Sequence, residues 1–175
     1  MDKLSAFSSE AFNFKGLVTQ NEFPSANHVH DLILNRLENV DASLSEAAFY
    51  HFETPGKMLR AKMAIQSASL AEIDTSISLL WAAAVEVLHN ASLIHDDICD
   101  GDKQRRGRSS IWVKFGQDTA LTLGDWLIAL SFELASEAAE MSNTPRLVGI
   151  LARHMATTTA GQAMEFRWDS TQSWD

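Results

Sequence analysis

The chain has 175 residues, 46 % of them hydrophobic, with a net charge of −9, one cysteine and 3 prolines. That length and apolar content suit a single soluble domain with a sizeable core and exclude a disordered chain. The acidic balance argues against nucleic acid as a partner, because phosphate backbones call for a basic face. The lone Cys99 excludes an internal disulfide or a cysteine-built zinc site, as expected of a cytoplasmic protein.

Residues 1–25 read as a loosely structured arm ending at Pro24-Ser25, and residues 26–175 as one domain. Asp2 and Glu10 lie in the first fifteen residues, which lack a continuous apolar stretch, and no Arg precedes Arg36, so no targeting signal is expected. Helical periodicity dominates from there on. A first helix is expected over 28–39, with Leu32, Ile33, Leu37 and Val40 forming its stripe, and a second over 44–54, broken by Pro55-Gly56. A third runs from 57 to about 70. The fourth, capped by Asp74 or Thr75, is apolar on nearly every face from Ile77 to Ile94 and must be surrounded by other helices. Glu86, His89 and Asn90 interrupt it, which a bilayer would penalise, so no transmembrane segment is expected. Gly101 offers a left-handed stop. Residues 102–110 read as a loop, 117–141 as a fifth helix, and Asn143-Thr144-Pro145 opens a sixth that ends near Phe166. No strand-like alternation of any length occurs. The expected fold is all-α, an antiparallel helical bundle.

The chemistry concentrates where the fourth helix ends. Asp96 and Asp100, four residues apart, share one helical face and can reach one hard cation; Asp97 projects about 100° away and can brace the site or meet a second ion. These acids sit at the negative end of the helix dipole, an arrangement that opposes stability unless cations are bound. Lys103, Arg105, Arg106 and Arg108 follow at once around Gly107, taken as the hinge of a mobile loop. Guanidinium forks match diphosphate oxygens in bidentate fashion. Acids for Mg²⁺ beside arginines for phosphate make a diphosphate clamp. A solvated helix end is the plain alternative for the acids alone. A calcium loop counted from Asp96 fails, because position 3 is Ile98 and position 12 is Gly107.

Taken together, these residues resemble the trans-isoprenyl diphosphate (polyprenyl) synthases. The stretch from Leu88 through His89, Asn90, Ala91, Ser92, Leu93, Ile94 and His95 to Asp96-Asp97-Ile98-Cys99-Asp100, continued to Arg105-Arg106-Gly107, is similar to that family's first aspartate-rich motif. Gly56-Lys57-Met58-Leu59-Arg60 resembles its GKxxR motif, Leu123-Gly124-Asp125-Trp126-Leu127 its LxGDxL stretch, and Gly161-Gln162 its GQ motif. Met58 stands where a basic residue is common, and Ala61 and Ser109 where a proline is.

The resemblance implies a role for each matched position. Asp96 and Asp100, supported by Asp97, would hold Mg²⁺ against an allylic diphosphate bound by Arg105. Lys57, Arg60, His89 and Arg106 would bind isopentenyl diphosphate. Gln162 and Glu165 fall where the family has polar residues near the metal. Gly124 would serve helix packing and Asp125 a structural part. Ala91, the fifth residue before Asp96, lies about 7.5 Å up the helix; with Ser92 and Leu88 it would wall a chain-length pocket, and its small size implies a geranylgeranyl or longer product. The resemblance also implies a homodimer. It covers the first half of the family fold, whose second aspartate-rich motif and Lys-Thr pair come later in the chain, so these residues alone are expected to be nearly inactive. Two other readings stay open: a class I terpene cyclase, which needs no isopentenyl site, and a non-catalytic partner subunit of a complete synthase.

Overall fold

The computed structural model describes residues 24–169; most of the expected N-terminal arm lies outside that range. The described residues form seven helices and one two-stranded ladder: α1 (Ala26–Leu37), α2 (Ala42–Phe52), α3 (Leu59–Leu70), α4 (Thr75–Cys99), β1 (Gln104–Arg105), β2 (Arg108–Ser109), α5 (Ile111–Phe115), α6 (Gln117–Met141) and α7 (Arg146–Asp169). The expected helices are all present, with ends displaced by a few residues. Side-chain caps fix two of the starts: Asp41 accepts from Ser43 N–H at 2.9 Å, and Asp74 from Ser76 N–H at 2.8 Å.

Antiparallel α4 and α6 are the axis of the bundle, with α1 and α3 packed on α4 and α7 on α6. Leu79, Leu80, Val87 and Ile94 of α4 interleave with Leu123, Leu127 and Leu134 of α6, and alanines such as Ala83 and Ala135 let the two backbones approach. Gly124 of α6 makes room for the His95 ring of α4. A Cβ built there would lie 2.6 Å from His95 Cδ2, so only glycine fits against the helix that carries the aspartates. Arg36 spans α1 and α6 with a bidentate pair to Glu137, at 2.7 and 2.6 Å. Helix α4 is long and apolar enough to cross a membrane, yet 61 % of its apolar window is buried inside the bundle, which accounts for its composition.

Two features depart from the sequence reading. Residues 102–110 do not form a mobile loop: Gln104 pairs with Ser109 and Arg105 with Arg108 around a two-residue turn. Both turn residues have positive φ, +54° at Arg106 and +77° at Gly107, as a type I′ hairpin requires. An arginine tolerates that region poorly, so the guanidinium contacts described below must hold it there. Second, the short helix α5 follows, too brief for periodicity to reveal.

Candidate active site

Helix α4 carries two polar stripes, one turned into the protein and one half-open. Glu86, Asn90 and Asp97 form the inner stripe, exposed by 2 %, 1 % and 2 %. His89 and Asp96 are half-buried and Asp100 exposed on the outer one. Seven and eleven residues separate His89 from Asp96 and Asp100, which are whole numbers of turns to within a few tens of degrees.

The inner stripe organises the arginines. Asp97 accepts from Arg105 Nε at 2.8 Å and from Nη2, while Asp102 lies 3.7 Å from the same nitrogen. Burial pushes the Asp97 carboxyl up, against the pull of Arg105, and the hydrogen bond to Asp97 raises Arg105 further above its ordinary range. The sequence reading counted Asp97 among the metal ligands. The structure turns it about 100° away from Asp96 and commits it to Arg105, so it braces the arginine expected to meet the allylic diphosphate.

Arg106 donates through Nη1 to the Thr54 carbonyl and through Nη2 to Asn90 Oδ1 at 3.4 Å. Its guanidinium lies flat on Gly56, where a Cβ would sit 2.9 Å from Cζ. Asn90 in turn donates to the Glu86 carbonyl at 2.8 Å, which leaves Oδ1 as the acceptor for Arg106 and for His51 Nε2 at 3.0 Å. Behind the arginines, His51, Thr54, Asp97 and Tyr50 line a hollow of about 20 Å³, room for one water. Arg108 stands apart, paired with Glu53 at 2.7 Å and stacked 4.0 Å from the Tyr50 ring centroid.

The outer stripe faces the remaining cations. Lys57 and Arg60 are exposed at the start of α3, where the helix dipole adds positive potential. Burial lowers the His89 imidazole to about 4, helped by the nearby Arg60 and Arg106. At neutral pH His89 is therefore an uncharged donor or acceptor among cations. Asp96 Oδ1 accepts from Gln162 Nε2 at 2.9 Å, which brings α7 to the site. Glu165 is exposed on the same helix. Among the described residues Asp125 meets only His95, at 3.7 Å.

Of the pocket residues, Leu88 and Ser92 are half-buried on the open face and Ala91 is fully buried in the core. The residue count used helical rise alone; the angle places Ser92, not Ala91, on the Asp96 side. Sequence reasoning missed His51, near the end of α2, and Thr54, in the turn that follows it, which obey no spacing rule. It saw Glu86 and Asn90 only as breaks in an apolar run, and those breaks were the usable signal.

His51 gives a testable pH dependence. Burial holds its imidazole at about 4, below the ordinary 6.5, although the Asn90 bond pulls upward. Between those values the unfolded chain takes up a proton that the folded chain refuses, so stability is full above pH 6.5 and falls as pH drops toward 4. The full shift corresponds to about 3 kcal/mol. Thermal melts across pH 4–7 should show this slope, and His51→Gln should reduce it, leaving the share of His89, whose imidazole is lowered over the same window; an unchanged slope in the variant would assign it elsewhere.

Residues 41–175 match the family model for polyprenyl synthetase. The chain belongs to the polyprenyl synthetase family. It is 36 % identical over 147 residues to a geranylgeranyl diphosphate synthase of Saccharolobus solfataricus, covering 82 % of this chain and 44 % of that protein. Among solved structures, a geranylgeranyl pyrophosphate synthetase from Geoglobus acetivorans superposes with a TM-score of 0.76 at 32 % identity, over 84 % of this chain and 49 % of that one. A polyprenyl synthase from Caulobacter crescentus, solved with calcium and isoprenyl diphosphate, gives 0.73 at 33 %, over 80 % and 42 %. The chain thus spans less than half the length of these family members, and its helices are all-α like theirs.

Proposed function

We propose that this chain forms one wall of a magnesium-dependent prenyltransferase site that joins an allylic diphosphate head to tail with isopentenyl diphosphate. The observation that carries this reading is the gathering of Asp96, Arg60, Arg105 and Arg106 around an uncharged His89. Relatives named as geranylgeranyl diphosphate synthases support the same chemistry.

The donor set suits magnesium. Among the described residues no group of three or more His, Cys, Asp or Glu side chains converges on one point. Mg²⁺ is commonly held by one or two carboxylates with substrate phosphates and waters completing the octahedron, which is what Asp96 and Asp100 offer. Bound there, it would neutralise charge on the departing diphosphate. The protein's own part is to hold and orient. Arg105, fixed by Asp97, presents its remaining donors to the allylic diphosphate. Lys57, Arg60 and Arg106 hold isopentenyl diphosphate through its phosphates. The allylic carbon–oxygen bond breaks with its electron pair leaving on diphosphate. The isopentenyl double bond attacks the cationic carbon, and loss of a proton, taken by the released diphosphate, restores a double bond.

The hydrocarbon tail has a matching surface. Trp81, Val85, Leu88 and Ser92 continue the half-open face of α4 away from Asp96. Fifteen residues separate Trp81 from Asp96, about 22 Å of helix. An extended five-carbon unit of four bonds spans about 5 Å, so the stripe accommodates roughly four units, or about twenty carbons. The expected product is geranylgeranyl diphosphate or longer.

Incubation of the intact protein with isopentenyl diphosphate, geranyl diphosphate and Mg²⁺, followed by chromatography, tests this reading. Products of twenty carbons or more are expected, and Ser92→Phe should shorten them. Farnesyl diphosphate as the sole end product from a geranyl primer would sink the length assignment, and no condensation at all would sink the activity. Because the relatives are more than twice as long as the shared stretch, the 175 residues alone are expected to turn over only slowly.

A further inference from the structure

We infer that Glu86 is a positioning residue for isopentenyl diphosphate: one buried carboxylate that fixes the start of α3 and holds Arg106 beside it. The inference rests on the function proposed above and assigns a part to a side chain that touches no substrate.

A carboxylate in the middle of an apolar core helix is costly unless its charge is met. Glu86, 2 % exposed, is met from two sides. Its Oε2 accepts from Ala61 N–H at 3.1 Å, in the first turn of α3, where the dipole is positive. Its charge also acts on Arg106, for which Glu86 is the foremost influence opposing the effect of burial. Asn90, one turn along α4, donates to the Glu86 main-chain carbonyl and accepts from the half-buried Arg106, so the guanidinium is tied by hydrogen bonds to the turn of α4 that carries Glu86.

These contacts join two otherwise separate parts of the isopentenyl site. Arg60 rides on the first turn of α3 with Lys57 in the turn just before it, and Arg106 sits at the tip of the β1–β2 hairpin. Met58, 7 % exposed with φ +45°, and Ala61, 0 % exposed, seat the start of α3 in the core, while Leu59, 61 % exposed, Lys57 and Arg60 lie on the surface; the bond from Ala61 to Glu86 ties this turn to α4. Without Glu86 the first turn of α3 would lose its buried acceptor, and Arg106 the foremost carboxylate attraction acting on it. The three cations would then stop converging on one diphosphate, while Asp96, Asp100 and the Asp97–Arg105 pair would keep their places.

Two measurements on Glu86→Ala test this. Hydrogen exchange needs no ligand: amides of residues 59–62 should exchange at least about tenfold faster than in the wild type, the value of one hydrogen bond to a charged group. Unchanged exchange there would overturn the tether whether or not any ligand binds. Calorimetry should show isopentenyl diphosphate bound about tenfold more weakly, with Mg²⁺-dependent binding of geranyl diphosphate altered less than about twofold. Equal loss of both ligands in step with melting temperature would reduce Glu86 to a stability residue and overturn the assignment. Glu86→Gln keeps an acceptor for Ala61 and drops the charge. Wild-type affinity in that variant would place the role in the α3 contact, and alanine-like affinity in the charge on Arg106. Failure of the wild type to bind isopentenyl diphosphate would refute the proposed function and leave the exchange result to judge the tether.

Discussion

Asp96→Asn should weaken Mg²⁺-dependent binding of an allylic diphosphate by about 100-fold while leaving the protein as stable as before or slightly more so. The two halves of that expectation have one cause. Asp96 sits in the last turn of α4, where the dipole disfavours negative charge, and Asp97 and Asp100 add to the repulsion. Removing one charge there relieves about 0.3–1 kcal/mol. The Gln162 contact survives, because an asparagine oxygen can accept the same 2.9 Å bond. A substitution that stabilises the fold and abolishes metal-assisted binding marks a group kept for its ligand. Calorimetry with and without Mg²⁺, beside thermal melts, reads both quantities; unchanged Mg²⁺-dependent affinity would remove Asp96 from the site.

Gly124→Ala should lower stability by about 2–3 kcal/mol, since overpacking a tight core contact costs that much, and the melting temperature by about 5–10 °C. The new methyl would meet the His95 ring at 2.6 Å or less from its nearest carbon, and His95 is also held by the Leu121 carbonyl at 3.3 Å. The ring cannot give way without moving α4 or breaking that bond. Because His95 precedes Asp96, diphosphate binding should weaken too. His95→Ala made together with Gly124→Ala should recover most of the loss, a coupling between neighbours that separate sites would not show. A stable single variant would mean that α4 and α6 can part at little cost.

Much of this was legible in the residues. The apolar run of α4, the break at Pro55-Gly56 and the acids followed by arginines locate the helices and the clamp, because periodicity and charge are local properties. What escaped was tertiary. A helical count places Asp96 and Asp97 on different faces but cannot say which face is buried, so the pairing of Asp97 with Arg105 and the burial of Ala91 became visible only in the structure. The turn at Arg106-Gly107 escaped because arginine at positive φ is chosen by its partners, Thr54 and Asn90, and not by its own preference. His51 gave no sign at all, since only the packing of α2 against α1, α5 and α6 brings it to Asn90 of α4.

That all of these partners hang from one rod has an implication for how the sequence can change. Deleting a single residue between Asn90 and Asp96 would turn everything beyond it by about 100° relative to everything before it. Asp96 would then swing off the open face, Asp97 would leave Arg105, and Glu86 and Asn90 would stay where they are. Variation in length is therefore confined to the joints on either side of α4, such as the turn at residues 71–74, and the span from Glu86 to Asp100 can drift in composition but not in register.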